Sequence, residues 1–256
     1  MENISSNFTP LVSIVMPSFN SSATIRDSIE SIQRQTYTNW ELLVTDDCSS
    51  DDTVEIVKNI AANDPRIILF INQKNSGAGV SRNNSIAKSS GKYIAFLDSD
   101  DLWIESKLER QVKFMIKNHI FLSYTCYQKI NSNNIPGKII TPPEKINYRE
   151  LLKSNVIGCL TAMYDAETLG KMYMPTIRKR QDMALWLKIL DKVDYAHCVN
   201  EVLAYYREGH NSLSSNKVTI LAAQWDFYRN YLEFNLPKSC FYFYFYIIRA
   251  LLKHKA

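Results

Sequence analysis

Short apolar runs alternate with amphipathic stretches through the first 120 residues, and this alternation restricts the fold more than any other feature of the chain. Residues 12–17, VSIVMP, read as a short buried strand closed by proline. Ser21 and Ser22 then offer an N-cap, and Ile25, Ile29 and Ile32 recur at helical spacing. Residues 40–45, WELLVT, form the next strand and run into Asp46 and Asp47. Asp51 and Asp52 suit the start of a second helix, whose apolar face is Val54, Val57 and Ile60. A third strand over 67–71, a helix over 77–88, a fourth strand over 93–97 and a helix over 104–117 follow. Strands alternating with helices of this length give βαβ units and a mostly parallel sheet. Near-continuous apolar strands agree, because such sheets are covered on both faces.

Ligands of these sheets bind beyond the carboxyl ends of the strands. Polar residues collect there: Pro17-Ser18-Phe19-Asn20, Asp46-Asp47, the stretch 72–79, and Asp98-Ser99-Asp100-Asp101. In a parallel sheet these clusters share one rim. Beyond residue 117 the pattern loosens. A strand is expected over 121–130, a loop over 131–143, a short helix over 148–154, a strand over 159–164 and a helix over 181–190.

The chain has 256 residues, 46% of them hydrophobic, enough for one large cored domain. A net charge of +4 gives no reason to expect nucleic acid. The five cysteines are odd in number and show no CxxC spacing, which argues against a disulfide framework or a zinc site. The N-terminal MENISSNFTP lacks a basic n-region, and no run reaches the ~18 apolar residues of a membrane span. A cytoplasmic location is expected.

Three carboxylates within four positions, Asp98, Asp100 and Asp101, repel one another. A hard divalent cation bound through oxygen would relieve that repulsion, and Mg²⁺ keeps part of its shell for substrate phosphates. A helix cap is the other reading, with Asp101 capping the helix near Ile104. A dinucleotide fold is excluded, because Gly77-Ala78-Gly79 follows the third strand rather than the first and Arg82 stands where the third glycine belongs. A phosphatase nucleophile would need an acid after the first strand, and none is there.

The stretches VSIVMPSFN (12–20), QTYTNWELLVTDDCSSDDT (35–53), NSGAGVSRNNSI (75–86) and GKYIAFLDSDDLW (91–103) together resemble the inverting family 2 glycosyltransferases. RQDMALWLKIL (180–190) resembles the family's later acceptor-side motif, with Gln181 where Glu is usual and Asp182 kept. The resemblance implies a GT-A fold, a Rossmann-like α/β sheet flanked by helices, with residues 1–120 as a nucleotide-sugar-binding half. Residues 121–215 would be the acceptor half of the same domain and 216–256 a C-terminal helical segment. It further implies that Pro17, Phe19 and Asn20 line the base and ribose pocket and that Asp47 accepts from the uracil N–H of a UDP-sugar. Arg82 would lie near the nucleotide, Asp98 at the ribose with Ser99 beside it, Asp100 on Mg²⁺ or Mn²⁺, and Asp182 would be the general base. His210 would complete the metal shell or touch the diphosphate; a solvated loop histidine is the plain alternative.

Transfer from a UDP-sugar builds negative charge on the leaving diphosphate, which a metal ion neutralises. The acceptor hydroxyl loses its proton as it attacks from the far side, and a carboxylate in reach takes it. One displacement inverts the anomeric centre. Asp182 also suits a helix N-terminus on electrostatic grounds alone. Arg178, Lys179 and Arg180 would meet an acceptor diphosphate or be a solvated surface, and Arg207 is a weaker phosphate candidate. The tail 238–256, KSCFYFYFYIIRALLKHKA, has no acid and is rich in aromatics. It reads as a helix that either lies in the membrane interface or packs on the core. A peripheral enzyme on the inner face of the cytoplasmic membrane would reach a lipid-linked saccharide on undecaprenyl diphosphate, as in O-antigen or capsule assembly. A non-catalytic nucleotide-sugar-binding or scaffold protein is the competing expectation, and a nucleotidyltransferase the third.

Overall fold

A computed structural model describes residues 9–208 and 217–255 of the chain. Four parallel strands form one half of the sheet: β1 (Val12–Ser18), β2 (Trp40–Asp46), β3 (Ile67–Ile71) and β4 (Tyr93–Phe96). Their order is β3-β2-β1-β4. The intervening helices are α1 (Ile25–Gln33), α2 (Thr53–Ala61) and α3 (Ala78–Lys88). The expected βαβ alternation is therefore present, with element ends within a few residues of the sequence reading.

Beyond β4 the sheet continues but its direction changes. After the two-residue β5 (Leu102–Trp103) and α4 (Lys107–Asn118) come β6 (Leu122–Ile130), β7 (Pro136–Ile140), β8 (Lys145–Ile146), α5 (Tyr148–Lys153), β9 (Met163–Asp165) and α6 (Ala166–Leu169). β9 inserts between β4 and β6, antiparallel to both. Then α7 (Gln181–Leu190) leads to β10 (Ala196–Arg207), parallel to β6 with two register shifts, and to α8 (Lys217–Asp226) and α9 (Leu236–Lys255). The sequence reading missed β10. Asn200 and Glu201 interrupt its apolar run where the register slips, so the period-2 signal breaks. Residues 205–207, read as loop, are the end of this strand. The loop expected over 131–143 contains β7, and the strand expected over 159–164 begins as a 3₁₀ turn, Cys159–Thr161.

Strand alternation sorts side chains into two cores. Val12, Ile14 and Met16 of β1 and Tyr93 and Ala95 of β4 meet Ile25, Ile29, Val57 and Leu108 from α1, α2 and α4. Val15, Ile94 and Phe96 face the other way, onto Ile86 of α3, Leu151 of α5 and the buried run Met183–Leu187 of α7. Trp186 is fully buried, its ring edge-on to Phe96 at 5.5 Å.

The entry into β4 is as tight as the core. A Cβ on Gly91 would stand 2.6 Å from the Ser13 backbone nitrogen, and the Gly91 N–H donates to the Ser13 hydroxyl at 2.8 Å. Gly91→Ala is expected to lower stability by about 1–3 kcal/mol, seen as a fall in the urea midpoint; an unchanged midpoint would show that the two backbones can part.

Candidate active site

The parallel half of the sheet puts its polar strand ends on one rim. Ser18 is in register with Asp46 and Asp46 with Ile71, and the Ser18 hydroxyl donates to Asp46 Oδ2 at 3.0 Å. Pro17 is buried at the end of β1, past the last residue paired with β4, so its missing N–H leaves no gap in that ladder. Phe19 is half exposed on the rim. Asn20 holds the neighbouring loop: its Oδ1 accepts from the Ser50 N–H at 2.9 Å, and its own N–H donates to Ser49 Oγ.

Asp47 is buried and organises the turn before α3. Its Oδ1 accepts from Asn72 Nδ2 at 2.7 Å and the Ser76 N–H at 2.9 Å, and its Oδ2 from the Gly77 N–H at 2.6 Å. That uses three of about four acceptor sites on a carboxylate, so one further donor fits. Gly77 has φ 89°, the left-handed backbone that lets its N–H turn toward Asp47.

The four residues after Leu97 separate into distinct roles. Asp98 pairs with Arg82, Oδ1 to Nη2, at 2.5 Å. Ser99 is buried and its hydroxyl meets Ser21 Oγ at 2.8 Å, while its carbonyl accepts from Thr24. Asp100 opens to solvent at the rim, yet protein crowds its carboxylate. Desolvation, and then repulsion from Asp98, push its pKa up to about 6. Asp101 is buried, and desolvation followed by the fields of Asp100 and Asp98 holds its pKa well above the usual carboxylate range. It does not cap α4, which begins at Lys107 after Ser106. Instead its Oδ1 accepts from the Arg207 N–H at 2.9 Å.

Arg207 was a weaker phosphate candidate, and the structure gives its Nε and Nη1 to protein while Nη2 is buried without a hydrogen-bond partner. Nε donates to the Asp100 carbonyl at 2.9 Å and Nη1 to Asn134 Oδ1 at 2.6 Å. With its side chain nearly buried, it straps the acidic loop to β10.

Asp182 stands in the first turn of α7 and is brought to this rim by packing. Burial opposes the Arg82 charge, but the carboxylates of Asp98 and Asp182 outweigh it and raise the guanidinium's pKa. Cys159 sits in the same field: desolvation first, then Asp98, Asp182 and Asp101, push its thiol well up against the pull of Arg82. Two contacts had no sequence signal. Asn155 Nδ2 donates to Asp182 Oδ2 at 2.9 Å, with its own Oδ1 accepting from the Ile157 N–H. Gln181 covers Gly79 so closely that a Cβ there would lie 2.7 Å from the Gln181 amide. His210 lies outside the described residues. Among the described residues no three His, Cys, Asp or Glu side chains converge on a metal site.

Parallel strands whose polar ends share one rim, with an acidic loop after β4 and an antiparallel extension beyond it, have the architecture of the GT-A fold. The model of glycosyl transferase family 2 matches residues 13–168, and the chain belongs to that family. It is 44% identical to the UDP-Glc:α-D-GlcNAc-diphosphoundecaprenol β-1,3-glucosyltransferase WfgD of Escherichia coli, over 95% of both chains. It is 40% identical to TuaG of Bacillus subtilis, a glycosyltransferase named for teichuronic acid biosynthesis, over 96% of this chain and 98% of that one. Among solved structures, S. aureus TarS 1–349 in complex with UDP-GlcNAc superposes with TM-score 0.69 at 20% identity, over 86% of this chain and 66% of that one. A Pyrobaculum calidifontis mannosyltransferase in complex with GDP-Man and Mn²⁺ gives 0.68 at 16% identity, over 89% of this chain and 66% of that one.

The Asp100 shift has a signed consequence. Its folded pKa of about 6 exceeds the reference 3.8, so between these values the native state holds more protons than the unfolded one. Stability from this group is present at low pH and is lost as pH rises through that window. Asp100→Asn removes the effect. The variant's urea midpoint, measured from pH 4 to 8, should gain on the wild type up to about pH 6 and then run parallel.

Proposed function

We propose that the protein transfers a hexose from a UDP-sugar to a saccharide carried on a polyprenyl diphosphate, with inversion to a β-linkage, at the inner face of the cytoplasmic membrane. The observation that carries this reading is that Asp182 stands close enough to the Arg82–Asp98 pair for its charge to act on the guanidinium. Support for the substrates comes from the 44% identical relative, whose name gives UDP-Glc as donor and a diphosphoundecaprenol-linked GlcNAc as acceptor.

In this reading Asp47 has one acceptor site left for a uracil N–H, and Phe19 gives the base an exposed ring. Asp98, oriented by Arg82, turns toward the ribose. Asp100 fits a divalent metal: its carboxylate carries repulsion that a cation would remove, and Mg²⁺ is satisfied by one or two carboxylates plus substrate phosphates. Mg²⁺ or Mn²⁺ there would neutralise charge on the leaving diphosphate. Asp182 Oδ2 is held by Asn155, which leaves Oδ1 to take the acceptor proton.

A helix carries the membrane reading. One face of α9 docks on the domain through buried Tyr242, an Arg180–Tyr246 hydrogen bond of 2.6 Å and an Arg249–Glu150 ion pair of 2.5 Å. The other face exposes Phe241, Tyr244, Ile248, Leu251 and Leu252 at helical spacing. No acid occurs between Leu236 and Ala256. Among the described residues no helix is long and apolar enough to cross a membrane, so α9 would lie in the interface.

UDP release measured over a panel of UDP-sugars, with and without an α-GlcNAc diphosphate lipid, tests the reaction; release of the sugar 1-phosphate instead would point to nucleotidyl transfer. Asp182→Asn should cut transfer at least ~10²-fold while UDP binding persists; a variant that binds UDP and still transfers at the wild-type rate removes Asp182 as base. For the membrane face, Phe241→Ser with Leu251→Ser should move the protein to the soluble fraction without loss of fold. These substitutions spare the Arg180 and Glu150 contacts that deleting the tail would destroy. Unchanged fractionation rejects the interfacial role.

A further inference from the structure

The approach to α7 forms one wall of a cleft of about 190 Å³ that the donor rim does not use. Ile177, Arg178 and Lys179 line one side, and Asp226, Phe227 and Tyr231 line the other. The floor is apolar: Phe227 is buried and its ring stacks on Tyr231 at 5.1 Å. The cations face it without partners, since among the described residues neither Arg178 nor Lys179 makes an ion pair or hydrogen bond. Arg180, the third cation of the run, is already engaged with Tyr246. The acid of the cleft, Asp226, accepts from Asn230 Nδ2 at 2.5 Å.

The cleft lies beside the candidate base. Asp182 follows Lys179 by three residues, so their Cα atoms are at most about 11 Å apart. Gln224, next to the cleft wall, reaches Met183 Sδ at 3.8 Å from the other side. In a sugar linked to lipid through a diphosphate, the attacked hydroxyl and the first phosphate hang on the same ring. The phosphate must then bind about one ring's width from the base. An apolar path leads away from the cleft as well: Trp225 of α8 packs on Phe243 of α9 at 5.2 Å, and the exposed stripe of α9 lies on the far side of that helix.

We propose that this cleft binds the diphosphate and the first carbons of the acceptor lipid. Arg178 and Lys179 take the phosphate oxygens, and Phe227 and Tyr231 take the start of the chain. Guanidinium and ammonium groups suit this task, the first as a fork and the second as a mobile point charge. Asp226 opposes phosphate and limits how tightly the product is held. The inference rests on the lipid-diphosphate acceptor of the preceding reading.

The test compares two acceptors, an α-GlcNAc diphosphate ester of an alkyl chain and an α-GlcNAc alkyl glycoside without phosphate. For the Arg178→Ala/Lys179→Ala double variant, kcat/KM for the diphosphate ester should fall about 10- to 100-fold, mainly through KM. The preference for the ester over the glycoside should shrink by the same factor. Arg178→Lys with Lys179→Arg should restore most of it, and Asp226→Asn should lower KM for the ester alone. An equal loss with both acceptors, or no loss with either, overturns the cleft while leaving the acceptor class intact. A wild-type enzyme that releases UDP to the glycoside as readily as to the ester overturns the acceptor class, and the cleft with it.

Discussion

The packing of α7 on the outer half of β4 is the contact on which the site depends. Phe96 is the last residue of β4 and Trp186 lies one helical turn into α7, and their rings meet edge to face inside the core. Phe96 stands two residues before Asp98 and Trp186 four residues after Asp182, so this one contact fixes where the acidic loop and Asp182 lie relative to each other. α7 can do this because it is apolar nearly all round: Met183 to Leu187, Ile189 and Leu190 are all buried. A helix buried on nearly every side, with only Lys188 exposed in its middle, cannot roll freely. At its partly exposed N-terminus the helix dipole favours an acid, and Asp182 stands there.

A second constraint comes from charge. The loop after β4 gathers three carboxylates that the fold itself does not neutralise equally. Asp98 is tied to Arg82. Asp101 is withdrawn into the interior, where its high pKa favours the neutral acid and the Arg207 N–H still finds an acceptor. Asp100 alone is open to solvent and raised in pKa. Burial and pairing have turned three equivalent aspartates into one paired with Arg82, one withdrawn into the interior and one left open at the rim. β10 makes this partition possible, because its last residue, Arg207, holds both the Asp100 carbonyl and the Asp101 carboxylate.

This also explains what was legible in the sequence. The rim was readable because each parallel strand ends in its own local signal, and parallel order follows from the βαβ connections. The role of Asp101 was not, since a capping acid and a buried acid have the same sequence context. Arg207 looked like a phosphate ligand because a basic residue in a polar stretch carries no mark of the strand that buries it. β10 itself was hidden by the register slip around Asn200 and Glu201. Asn155 follows α5, and Phe227 opens the π-helical turn Phe227–Tyr231 that continues α8; both lie far from Asp182 in the chain, and only the long-range packing of α5, α7 and α8 reveals them.

The neutral residue before Asp182 illustrates how closely this region is constrained. The resemblance to the family's acceptor-side motif leads one to expect Glu at this position, where the chain has Gln181. The Gln181 amide donates from Nε2 to the Ile177 carbonyl, and the same side chain rests directly on Gly79. A carboxylate cannot donate, so Glu would lose the bond that folds residues 177–181 back on themselves and would place a fourth negative charge near Asp98, Asp100 and Asp182. Gln keeps the turn closed and the local field lower. That turn includes the strained αL residue Arg180, at φ 67°, whose side chain leaves toward α9 and ends on Tyr246. The residue beside Asp182 is thus coupled to the turn that carries Arg178 and Lys179, and through Arg180 to the helix that presents the apolar stripe.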